Sequence, residues 1–195
     1  MRGLADYAMS GRMQAAIVAV LFGLLPMLWV ISVAVVALVT LRRGWQDGLQ
    51  TLLWALLPAL LQWKLGDSSV VFALAGVMPA ALLLRNSRSW QAVILLLLAA
   101  GITVQWTLPW HGAALIKMLQ TAADKLQRDG LQLQLLVDGK LVNATSAQLV
   151  DAWLQFYGAY QMVVMFGCLA VARYWQATLY NPGGFRQEFH QLRLD

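Results

Sequence analysis

Tyr157, Tyr160 and Gln161 recur at spacings of three and four, which places their side chains on one face of a helix. Two phenols and a carboxamide among apolar neighbours suit binding, because such groups hydrogen-bond and stack against a small molecule. Trp106, Trp110 and His111 close the preceding apolar run and complete a candidate substrate-binding set that opens outward. The plainer alternative has Gln161 hydrogen-bonded to a neighbouring helix and the tyrosines packed, their hydroxyls reaching a carbonyl or water. Either arrangement requires elements that bring residues near 106 and 157 together.

The chain has 195 residues, of which 60% are hydrophobic and 12% charged. A soluble domain has roughly 45 to 50% and 25%, so the lipid bilayer is the expected main partner. The net charge of +5 and pI ≈ 9.7 do not point to nucleic acid, since the basic residues punctuate apolar runs as topology signals do. Arg2 and Arg12 precede the first run without a small-residue cleavage site, so this segment is expected to be retained.

A membrane-crossing helix needs about 20 apolar residues. The stretches 48–64, 69–84, 90–106 and 152–172 approach that length. The run from Met13 to Leu41 would reach about 43 Å as one helix, too long to stand upright. Pro26 divides it into two short segments, 13–25 and 27–41. That hairpin puts Arg2, Arg12, Arg42, Arg43, Arg85, Arg88, Arg173, Arg186 and Arg193 on one side, which the positive-inside rule makes cytoplasmic. On the other side Lys64, Lys117, Lys125, Arg128 and Lys140 are balanced by five aspartates.

The expected fold is therefore all-α: one domain, a polytopic transmembrane helical bundle of about six membrane segments, the first two short or re-entrant. An external amphipathic segment in the loop 107–150 and a C-terminal interfacial helix in a cytoplasmic tail, 181–195, complete it. The expected location is the bacterial inner membrane, with both termini cytoplasmic. Tryptophans near the segment ends agree with headgroup-level anchoring. In the loop, Leu115, Met118, Ala122 and Leu126 share a helical face. "LQLQLLVDGKLV" fits either a hairpin turning at Asp138-Gly139 or a second amphipathic piece. Thr145 and Gln148 form a capping-box pattern that starts the last helix.

No ionisable residue lies inside an expected span, for Asp151 and Arg173 mark the two ends of the last one. This weighs against a proton-coupled transporter. No pairing of serine or aspartate with a base is evident, and His111 and His190 fall on opposite sides of the bilayer, so no enzyme activity is expected. No cofactor or metal is expected either. Cys168 is a lone cysteine in an apolar run and reads as a small packed hydrophobe.

Ala15, Ala19 and Gly23 make a strip of small residues on the first segment, either an internal seam or a face for a transmembrane partner subunit. In the tail, "NPGG" stops the last helix, after which Phe185, Phe189 and Leu192 form one stripe and Arg186, His190 and Arg193 another. Such a segment lies in the membrane interface, its rings in the acyl boundary and its cations among headgroups.

The blocks "ARYWQATLYNPGGFRQEFHQLRL" and "AVVALVTLRRG" resemble the YybS-like family of bacterial multi-pass membrane proteins. No molecular activity is established for that family. It is in turn similar to the substrate-binding subunits of energy-coupling-factor transporters, six-helix proteins that bind a small molecule near the outer face. Those pair with a transmembrane partner through an Ala-rich strip, a role the resemblance gives to Ala15, Ala19 and Gly23. Family members continue into further membrane helices, so this chain is expected to be a shortened member or a fragment.

Overall fold

The computed structural model describes residues 2–25, 27–129, 134–137 and 140–181. Within them the fold is helical apart from one two-stranded hairpin. In chain order the elements are α1 (Arg2–Ser10), α2 (Arg12–Leu24), α3 (Trp29–Arg43), α4 (Trp45–Lys64), α5 (Ser69–Ser87) and α6 (Trp90–His111). They continue with α7 (Ala113–Arg128), β1 (Gln134–Val137), β2 (Lys140–Asn143), α8 (Ser146–Gln155) and α9 (Tyr157–Tyr180).

The long first run is two helices, α2 ending at Leu24 and α3 starting at Trp29. A proline ring crowds the residue before it out of the helical region, and Leu25 is extended at φ −88°, ψ 125°. Met27 follows with φ 67°, and the chain turns back into α3. α2 and α3 pack against one another, and the carbonyl of Gly23, left over at the end of α2, accepts a hydrogen bond from Gln62 of α4.

α3 sits at the centre. Every residue from Ser32 to Leu41 is buried, because α2, α4, α5 and α9 surround it. Its sequence, valine and alanine on all sides, is that of a helix with no solvent face. α4 comes close to it at Gly48, where a Cβ would collide with the Thr40 hydroxyl.

The outer helices carry apolar stripes that face away from the protein. Met13, Ile17, Leu21 and Leu24 do so on α2, Leu53, Leu57 and Leu60 on α4, and Leu95, Leu98, Ile102 and Trp106 on α6. A water-facing helix carries its polar residues on that side, so the pattern is inverted. Three helices, α5, α6 and α9, are long and apolar enough to cross a membrane.

Several boundaries differ from expectation. The segment placed at 90–106 continues to His111, so Trp110 and His111 belong to α6 and not to the loop. The segment placed at 152–172 is two helices: the capping box of Thr145 and Gln148 starts α8, which breaks at Phe156, and α9 then runs to Tyr180. Arg173 therefore lies within α9. α1 had no counterpart in the sequence reading; it buries Ala5, Ala8 and Met9. The loop contains both α7 and the hairpin, with Val137 paired to Lys140. α7 buries Leu115 and Ala123, whereas Met118, Ala122 and Leu126 are exposed.

One end of the bundle gathers arginines. Arg12 ion-pairs with Asp47 at 2.8 Å, Arg43 donates to the Met9 carbonyl at 2.6 Å, and Arg42 lies 4.1 Å over the ring of Tyr180. The grouping of α1, the α3–α4 corner and the end of α9 is the one that a hairpin at Pro26 requires.

Candidate functional site

At the opposite end, α5 begins with Ser68 and Ser69. The Asp67 carboxylate accepts from the Ser69 N–H at 2.9 Å and so satisfies one of the free donors of that helix start. Three further side chains converge on the two serines. Tyr157 Oη is 2.9 Å from Ser69 Oγ, Gln161 Nε2 donates to the Ser69 carbonyl at 2.9 Å, and His111 Nδ1 is 3.0 Å from Ser68 Oγ. Phe72 packs against the imidazole with ring centres 4.4 Å apart.

The second imidazole nitrogen fixes the tautomer. Thr107 Oγ1 lies 2.9 Å from the Thr103 carbonyl and 3.3 Å from His111 Nε2. A hydroxyl has one proton, and here it goes to the carbonyl, so Nε2–H donates to Thr107 and Nδ1 accepts from Ser68. The serine–histidine contact thus exists, contrary to the sequence reading. Ser68 is only 1% exposed, so its hydroxyl is covered by the surrounding side chains.

The six predicted binding residues separate. Tyr157 and Gln161 are buried and close to His111 through the serines. Tyr160 is half exposed at the rim beside Trp153, at 5.8 Å between ring centres. Trp106 and Trp110 are 85% and 84% exposed, Trp106 at the edge of a groove shared with Gly158 and Met162 of α9. Val104, Leu108 and His111 share the inward face of α6, and the two tryptophans, four residues apart, share another. Gln161 leaves its Oε1 without a hydrogen-bond partner although the residue is fully buried.

Ala15, Ala19 and Gly23 are buried within the chain. A Cβ on Gly23 would meet Pro58 of α4 at 2.7 Å, so the strip is an internal seam and is not exposed to a partner. The tail residues Phe185, Arg186, Phe189, His190, Leu192 and Arg193 lie outside the described residues. Cys168 is buried, its thiol 3.6 Å from the Val30 carbonyl.

Gln105 was missed. Its Nε2 donates to the Leu154 carbonyl at 3.0 Å and its Oε1 accepts from the Gly158 N–H at 2.8 Å. These are the backbone groups on either side of the α8–α9 break, where the helical ladder is interrupted. One amide side chain closes that gap from α6. The only sequence signal was a lone glutamine in an apolar run. Gly101 and Gly158 let the two helices meet there, and a Cβ on Gly101 would stand 2.8 Å from the Gly158 carbonyl.

Among the described residues no cluster of three or more metal-ligating side chains occurs. No family model, curated protein or solved structure matches the chain.

Proposed function

We propose that the chain is an integral protein of the bacterial inner membrane, with α2, α3, α4, α5, α6 and α9 embedded as six segments, acting without catalysis as a membrane assembly subunit. The observation that carries this reading is the set of outward apolar stripes on α2 and α4 as well as on α6. Each such side chain left in water forgoes part of the about 1.5 to 3 kcal/mol that full burial gives, a cost that lipid removes. The arginine-bearing end then faces the cytoplasm, in accord with the positive-inside rule. The proposed kinship with the YybS-like family rests on the two blocks quoted above.

The test is a labelling map in a Cys168→Ala background. A cysteine at position 117 is expected to react with an impermeant maleimide in intact cells, and one at position 88 only after permeabilisation. The reverse pattern, or a chain that stays in solution without detergent, would refute the proposal.

The second reading, small-molecule binding, is favoured by one observation, the buried and unpartnered Oε1 of Gln161. A vitamin and nucleobase panel that raises the unfolding temperature of the wild type but not of Gln161→Leu would support it. A panel without effect would count against it.

A further inference from the structure

The arginine-bearing end holds a cleft of ≈ 550 Å³ between the α3–α4 corner and the last turn of α5. Arg43, Gly44, Trp45, Gln46, Leu82, Arg85 and Asn86 line it. Its chemistry is uneven: two guanidiniums, two carboxamides and no carboxylate. Asp47, the acid in the adjoining turn, is engaged by Arg12 and Arg43 and does not line the cleft. Arg85 donates from Nη1 to the Thr40 carbonyl at 3.2 Å and forms no ion pair among the described residues. A guanidinium has five N–H donors, so most of its capacity is free for an anion.

The backbone keeps the cleft open. Gly44 adopts φ 98°, a conformation that side-chain-bearing residues avoid, and a Cβ there would stand 3.0 Å from Arg85 Nη1. The turn thus leaves the Arg85 guanidinium beside bare backbone. Trp45 is 57% exposed on one wall, and an exposed indole at a bundle end sits at headgroup depth. Leu82 supplies an apolar contact below it.

We propose that this cleft is a phosphate-binding site filled by the headgroup of an anionic phospholipid. Planar guanidiniums match phosphate oxygens in paired hydrogen bonds, and basic pockets between helices on the cytoplasmic side suit such headgroups. The site rests on the membrane reading above, whose labelling map is independent of lipid affinity, so the two fail separately.

The experiment is native mass spectrometry of the detergent-purified protein titrated with phosphatidylglycerol, with phosphatidylcholine, and with inorganic phosphate. Phosphatidylglycerol is expected to bind in preference to phosphatidylcholine, and Arg85→Gln to weaken it about tenfold or more. Arg88→Gln, an equal charge change outside the cleft, is expected to leave binding within about twofold of wild type. Equal loss in both variants, or equal binding of the two lipids, would overturn the site. Inorganic phosphate binding as tightly as the lipid, and lost in Arg85→Gln, would keep the phosphate assignment and overturn the lipid as its source. Arg43→Gln is avoided because Arg43 also holds Met9 and Asp47.

Discussion

Replacing Gln105 by leucine keeps most of the side-chain volume and removes both hydrogen bonds that span the α8–α9 break. The Leu154 carbonyl and the Gly158 N–H, at 3.0 and 2.8 Å from the glutamine, then have no partner from α6. Hydrogen bonds between membrane helices average about 0.6 kcal/mol and reach about 1.7, so the pair amounts to about 1 to 3 kcal/mol. The upper part of that range applies if both backbone groups are stranded away from water. The assay is titration of the detergent-solubilised protein with sodium dodecyl sulfate, followed by loss of tertiary signal. Thr103→Val on the same helix is the control, because its hydroxyl bonds only back to the Ala99 carbonyl. Gln105→Leu is expected to unfold at clearly lower denaturant than either wild type or Thr103→Val. If its midpoint matches that of Thr103→Val, the break is not held by this side chain and the reasoning is wrong.

Gly158→Val is expected to destabilise by about 1 to 3 kcal/mol in the same titration, since its Cβ would stand 2.5 Å from the Gly101 carbonyl and force α6 and α9 apart. Tyr157→Phe removes the contact with Ser69 and is expected to cost about 1 kcal/mol, whereas Tyr160→Phe, at the exposed rim, should leave the midpoint unchanged. Cys168 is expected to resist maleimide in the folded protein and to react fully once denatured; rapid labelling of the native form would contradict its burial.

Features that depend on local chemistry were legible in the sequence. Pro26 announces the break because it restricts its own neighbour, and Thr145 with Gln148 announces a helix start because both partners of the capping box lie within four residues. The gathering of arginines at one end followed from charge spacing alone. Features that depend on rotation were not legible. Trp106 and His111 are near in sequence but face different ways, and an apolar run such as α6 has too little polarity to reveal its phase. Gln105 was missed for a different reason: its partners are main-chain atoms at a helix break, and no local signal marks Phe156 as the point where the helix is interrupted. Tyr157 and Gln161 share a face, as a spacing of four requires, but that spacing does not say which way the face turns.

The encased position of α3 has a consequence for biogenesis. This helix emerges early from the ribosome, yet α9, which closes over it, is made long afterwards. In the interval the flank of α3 that α9 will cover, at Val30 whose carbonyl lies 3.6 Å from the Cys168 thiol, has no permanent neighbour and must be shielded by lipid or by the insertion machinery. Synthesis halted before Tyr157 would therefore leave an open trough along the bundle, a surface by which a membrane quality-control protease can tell an unfinished chain from a finished one.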